Sequence, residues 1–205
     1  MLGLPSTTKI NKPLAKKALF EKFKPTAADR KRFDEQIGRL AIVAEISPHT
    51  VSLVASEEVS AVYVIALTLK TAICDKKNIV LLAQFIDQRM VFVLQYGDHA
   101  RLAAYRAAKV LVSEDKSIDA WQLKLIGLDL GSAWDHIVAQ IAHINLVSGQ
   151  DLDAIIAEND RREKLSNQIA ALERKARTEK QSRRKWAYAE EIQRLKRELG
   201  GRPNE

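Results

Sequence analysis

Hydrophobic and polar positions alternate in three distinct ways along this chain, and each predicts a different kind of element. From Val59 to Lys70 the apolar residues Val59, Ala61, Tyr63, Ile65, Leu67 and Leu69 fall on every second position, with Val62 and Val64 between them. That pattern predicts a strand buried on both faces for part of its length. Met90–Gln95 and Ala100–Ala108 are β-rich runs flanking Tyr96-Gly97-Asp98-His99, a hairpin turn. Trp121, Leu123 and Leu125 alternate in what reads as a further strand reaching Leu128. Helical spacing governs other stretches. Pro13 suits a first helical turn, and Leu14, Ala18, Leu19 and Phe23 follow on one side. Thr26 with Asp29 three later forms a variant capping box, after which Phe33, Ile37, Leu40, Ala41 and Ala44 keep helical spacing to Glu45, before Ser47-Pro48. Asp75 is placed to cap a helix holding Ile79, Leu82, Phe85 and Ile86, and Asp129 or Ser132 to cap one holding Trp134, Ile137, Val138, Ile141 and Ile144.

The third pattern is the longest. Asp151 to Leu199 runs 49 residues without glycine or proline, rich in Glu, Lys, Arg, Gln, Ala and Leu, which predicts a helical rod of about 70 Å. Ser148-Gly149-Gln150 breaks the preceding pattern, and Gly200-Gly201-Arg202-Pro203 ends the helix. Leu165, Ile169, Leu172 and Ala176 take the spacing of a coiled-coil seam, and Tyr188, Ile192, Leu195 and Leu199 repeat it. The two stripes are out of heptad phase, and Glu173 to Lys185 between them is almost wholly polar. Two short packing surfaces joined by a solvated basic middle are expected. Leu165, Ile169, Leu172, Ile192, Leu195 and Leu199 are the candidate interaction residues, for a second copy or another protein.

The elements assemble into an α/β (α+β) expectation. A mixed sheet of four to five strands is flanked by helices, with a long C-terminal helix or coiled coil. Val59–Lys70 and Met90–Gln95, joined through a helix, form parallel neighbours. Three regions follow: a basic helical segment over 1–46, an α/β body over 47–148, and the long helix over 149–205.

Charge sharpens this division. The net +7 is distributed as nine Lys/Arg against two acids in residues 1–32, ten against thirteen in 33–150, and fourteen against eleven in 151–205. A basic arm, a slightly acidic body and a mildly basic rod point to an anionic partner for the ends, or to solvated helix surfaces. Lys9, Lys12, Lys16 and Lys17 in the arm, and Arg174, Lys175, Arg177, Lys180, Arg183, Arg184 and Lys185 in the rod, are the candidate contacts to DNA or RNA phosphates. Trp186 and Tyr188 follow the rod cluster, placed either to stack on bases or to pack on protein. One cysteine, Cys74, excludes an internal disulfide, and with no apolar run near 20 residues and no signal-peptide core the chain reads as cytoplasmic.

Enzyme chemistry finds little to stand on. A restriction-type nuclease needs an acid on one strand and an acid-x-Lys pair on the next, to hold Mg²⁺ and orient water. Asp98 ends a strand and Gln122-Leu123-Lys124 alternates within a later one, but glutamine contributes no charge and Thr68-Leu69-Lys70 lacks the acid. His136 and His143 lie seven apart, about 10 Å along a helix and too far to share one ion. His49 and His99 are turn residues, no glycine-rich phosphate loop is present, and no cofactor is expected.

The opening Met1-Leu2-Gly3-Leu4-Pro5-Ser6-Thr7-Thr8 resembles the start of an uncharacterised bacterial family, domain of unknown function 4391. Glu57-Glu58-Val59, the run Val91-Phe92-Val93-Leu94-Gln95-Tyr96-Gly97-Asp98 and the Leu130 to Ile141 helix are similar to it too. The resemblance carries no site residues over. It implies company with helicases and DNA methyltransferases of restriction-like defence systems, beside which such proteins tend to be encoded. One position departs: the family strand can end in Glu-Leu-Lys, where Thr68-Leu69-Lys70 stands here. The expected function is a non-enzymatic accessory or assembly protein working with DNA-processing subunits and touching nucleic acid electrostatically. The alternative is an active or decayed nuclease of the restriction-endonuclease type.

Overall fold

The structure is a computed structural model that describes residues 2–84, 88–147 and 149–200. Phe85 and Ile86 of the third predicted helix, Ser148, and the Gly201-Arg202-Pro203 helix stop lie outside the described residues. The chain divides into two compact units, Met1–Gln150 and Asp151–Glu205.

The first unit is built on a seven-stranded mixed sheet, larger than the four to five strands expected. Strands β1 (Lys9–Pro13), β2 (Ile37–Ile46), β3 (Val62–Leu69), β4 (Arg89–Tyr96), β5 (His99–Arg106) and β6 (Lys109–Val112) lie in sequence order, and β7 (Lys116–Ser117) also pairs with β5. Strands β3 and β4 are parallel neighbours joined through helix α3 (Lys76–Ala83), as the patterning predicts, while the other pairs are antiparallel. Successive side chains of a strand face opposite sides, and β4 is buried from Met90 to Leu94, so both faces of the sheet's centre are covered. One face packs Leu19 and Phe20 of α1 (Lys16–Phe23), Phe33 of α2 (Ala27–Gln36) and Ile79 and Leu82 of α3 against Leu40, Ile42, Ile65, Leu67 and Phe92. Helix α4 (Leu130–Ala142) packs against β5 and β6, burying Leu130, Trp134, Ile137, Val138 and Ile141.

The caps read from sequence hold the helices in place. Thr26 accepts from the Asp29 amide, Asp75 from the Lys77 amide, and Asp129 and Ser132 form a full capping box on α4. The β4–β5 hairpin turns on Gly97, whose φ of +60° is the left-handed conformation that a glycine-first two-residue turn requires.

Pro13 ends β1 instead of opening a helix, and α1 starts only at Lys16. Two longer segments also depart from the sequence expectation. The helix predicted to reach Glu45 stops at Gln36, and Ile37–Ile46 is a strand, so residues 1–46 contribute both β1 and β2 to the sheet. The register shift between Ile37 and Arg39 breaks the period-2 rhythm at the start of the strand, and from there Leu40, Ile42, Ala44 and Ile46 are buried in strict alternation. Ile37, Leu40 and Ala44 also fall at intervals of three and four that mimic a helix, which competes with the alternation. The second departure is Trp121–Leu128, which is not a strand. Trp121 and Leu123 are buried, but their segment is held by single bonds instead of a ladder. The Leu123 amide donates to the Leu2 carbonyl at 2.9 Å, and the Gln140 side chain brackets Lys124 through its amide and carbonyl at 3.0 and 2.8 Å. Alternating burial reports a face, not a pairing partner.

The second unit corrects the rod. Helix α5 (Leu152–Thr178) ends at Glu179, whose backbone is extended, and helix α6 (Ser182–Gly200) begins after Glu179-Lys180-Gln181. So short a connection sends α6 back antiparallel along α5. The two predicted stripes meet in one cluster of Leu165, Ile169, Ile192 and Leu195, with Leu172 and Leu199 packed against it. Their heptad phases disagree because they never lie on one straight seam. Lys196 reaches Glu173 at 2.9 Å and Arg161 reaches Glu198 at 3.5 Å across the pair.

Candidate nucleic-acid interface

The interest of this hairpin lies at its tip. Glu179 closes α5, its amide donating to the Lys175 carbonyl at 3.0 Å, and its carboxylate accepts from the Gln181 amide at 2.9 Å. Around that turn stand Arg174, Lys175, Arg177, Lys180, Arg183, Arg184 and Lys185, all exposed. Between Glu173 and Lys185 there are seven cations against two carboxylates, a local +5. Both carboxylates are engaged elsewhere: Glu173 by Lys196, which with Arg177 nearby lowers its pKa, and Glu179 by the turn amide. Among the described residues none of the seven cations is held in an ion pair.

Away from the tip most of the hairpin's cations are paired. Glu158 takes both Arg161 and Arg162 at 2.9 Å, which draws its carboxyl down to about 2. Lys164 pairs with Asp160, and Arg194 with Glu191, whose carboxyl is lowered in turn. The helix dipole adds a second contrast. Lys175 and Arg177 sit in the last turn of α5, where the dipole favours cations. Arg183, Arg184 and Lys185 crowd the start of α6, whose first turn holds no acid. There the dipole disfavours cations by a few tenths of a kcal/mol each. An approaching phosphate reverses that penalty, because free amides and cations then face the same anion.

Trp186 follows this cluster at 64% exposure. Tyr188 is half-buried, four residues before Ile192 on the same helix face. Trp186, two residues earlier, lies about 160° around the helix from Tyr188 and faces away.

The amino-terminal lysines are placed differently. Lys9 and Lys12 lie on the edge strand β1 with Pro13, a composition that blocks pairing with another sheet. Lys16 is held inside the body: its ammonium donates to Asp34 at 2.9 Å and to the Ile37 carbonyl at 2.5 Å, beside the Phe33 ring. Lys17 remains exposed, 3.9 Å from Glu21 on the same helix. The structure thus brings the seven tip cations together and leaves the four arm lysines on separate surfaces.

Sequence reading did not find the partner of His99. Its Nδ1 lies 2.9 Å from Asp115 at the carboxyl ends of β3 and β4, beside Tyr96 and Arg101, in a cleft of about 270 Å³. No spacing rule links residues sixteen apart across a sheet edge. The nuclease set is dispersed: Asp98 is in the β4–β5 turn and Lys124 in the irregular segment bound by Gln140. His136 donates from Nδ1 to the Ser132 carbonyl at 2.9 Å, and His143 terminates α4 in a left-handed conformation. Burial pushes the Cys74 thiol up from its ordinary value, against a hydrogen bond from Asn78. Among the described residues no three His, Cys, Asp or Glu side chains are grouped to hold a metal ion, and no helix is long and apolar enough to cross a membrane.

A family model covers residues 2–199, body and hairpin alike. The chain belongs to the family described as Domain of unknown function (DUF4391). Because the match runs through both helices, the hairpin is part of the DUF4391 domain and not an appendage to it. No curated protein and no solved structure matches the chain.

Proposed function

We propose that this DUF4391 protein is a non-enzymatic accessory protein that contacts nucleic acid through the tip of its helical hairpin. The sheet body serves as the platform that carries the hairpin. One observation carries the reading: among the described residues the hairpin's cations away from the turn, Arg197 apart, are held in ion pairs, while the seven at the turn are in none. Solvation alone accounts for scattered lysines, but not for three cations gathered against the dipole at the start of α6. Contact of this kind is made to phosphates and reads little sequence, which suits a subunit working beside enzymes that supply sequence choice and chemistry. The helicases and methyltransferases of the family's usual genetic neighbourhood are the partners proposed on that ground.

The test is a filter-binding titration at two salt concentrations with unrelated DNA sequences. Affinity should fall linearly on a log–log plot, with a slope near −0.9 for each phosphate contacted on duplex and about −0.7 on single strands. Charge reversal of Arg183, Arg184 and Lys185 to Glu should flatten the slope by about 2 to 3 and weaken every sequence alike. Absence of binding by the wild-type protein at low salt would refute the proposal.

A further inference from the structure

The exposed Trp186 beside the basic turn deepens that reading and rests on it: we propose that the hairpin tip selects single-stranded over duplex nucleic acid by stacking Trp186 on an unpaired base. Three observations converge on this.

The first is exposure. The other two tryptophans are buried, Trp121 at 8% and Trp134 at 3%, whereas Trp186 stands at 64%. The second is that among the described residues no Lys or Arg cation covers the ring, although Lys116 sits 4.9 Å from the Trp121 ring. The third is its company. Arg183, three residues earlier, shares its helix face, Lys185 precedes it, and its other neighbour in chain, Ala187, is exposed. A tryptophan that anchors a protein partner sits in an apolar setting from which water is excluded. This one stands among cations, so its complement must carry both negative charge and a flat apolar face. An unpaired nucleotide has both. In a duplex the base faces are stacked on one another and only their edges are presented, so the ring finds phosphates near it but nothing to stack on.

The selection has a defined size. Base–aromatic stacking changes affinity about 5- to 150-fold per base, and every base offers a π-face, so the preference is for strandedness and not for sequence. Phosphate contacts by Arg183, Arg184 and Lys185 remain in both forms.

Fluorescence titration of the full-length protein at low salt decides the point, with a short oligothymidylate as single strand and the corresponding dA·dT duplex as competitor. Because Trp121 and Trp134 are shielded, quenching by the single strand reports Trp186. The expected result is quenching by the oligothymidylate, tighter binding to it than to duplex, and a loss of about 5- to 150-fold in single-strand affinity for Trp186→Ala. Trp186→Phe should restore most of that loss, duplex affinity should stay within about twofold, and the unchanged melting temperature of an exposed-site variant should exclude misfolding. Equal affinity for the two forms, or a Trp186→Ala variant that binds the single strand like wild type, overturns the stacking inference and leaves phosphate contact standing. Binding to neither form overturns both.

Discussion

Replacing Ile169 by Ala should uncouple the two helices of the hairpin while the sheet body stays folded. Ile169 is 7% exposed in a cluster with Leu165, Ile192 and Leu195 at 5–8%. Neither helix is secure alone: α5 is 27 residues and α6 only 19, and isolated helices of such length owe most of their stability to the apolar face they bury. Ile→Ala removes roughly three methylene equivalents at about 0.8 kcal/mol each, and the space left behind adds to the loss. A site walled by only two helices collapses readily, which sets the total near the low end for core truncations, about 2–3 kcal/mol. At 1.36 kcal/mol per tenfold, that is a loss of about 30- to 150-fold in the protection of α6 amides against hydrogen exchange. Amides of β3 and β4 should keep theirs. Size-exclusion light scattering on the same samples should show no change in particle mass, since the stripe is satisfied within one chain. If Ile169→Ala instead halves the mass and leaves α6 protection intact, the stripe joins two chains and the hairpin reasoning is wrong.

Three further outcomes follow from local geometry. Gly127 has φ +140°, and a Cβ there would come within 2.3 Å of the Ser132 hydroxyl of the α4 capping box. Gly127→Ala should therefore cost about 2 kcal/mol or more in urea unfolding, and a wild-type midpoint would contradict that strain. Trp121 donates from Nε1 to the buried Ala100 carbonyl at 2.8 Å. Trp121→Phe should lose about 1–3 kcal/mol by leaving that acceptor unpaired, whereas a change within measurement error would mean that it finds another donor. Glu158 is lowered from 4.5 to about 2 by Arg161 and Arg162. A depressed carboxyl stabilises the fold above its unfolded value, so hairpin protection should decline as pH falls from about 4.5 towards 2. Glu158→Gln should lessen that decline and leave the part owed to Glu173 and Glu191, and a carbon-13 titration of Glu158 with a midpoint near 4.5 would refute the pairing.

What the sequence determined by itself was whatever rests on short-range rules. Strand β3 follows from alternating apolar positions, β4 and β5 from β-rich runs around a glycine turn, and α3 and α4 from Asp75 and Asp129, which cap through amides two or three residues away. The parallel pairing of β3 and β4 followed from the intervening helix. Tertiary structure decided the rest. Strand β2 was hidden because Phe33, Ile37, Leu40 and Ala44 keep helical spacing while Leu40, Ile42, Ala44 and Ile46 alternate as a strand, and pairing with β3 decides between the two. The turn at Glu179-Lys180-Gln181 carries neither glycine nor proline, and its helix formers would continue as one rod if nothing else acted. Folding back replaces two wet apolar stripes by one buried cluster, a gain that no local propensity registers. The candidate interface divides the same way. That cations are abundant near Arg183 and near Lys16 is written in the chain. That Lys16 is consumed by Asp34 and the Ile37 carbonyl, while among the described residues the seven at the hairpin tip form no ion pair, is settled only when distant segments come together. An ion pair forms wherever the fold places two charges within reach, and sequence distance does not report that reach.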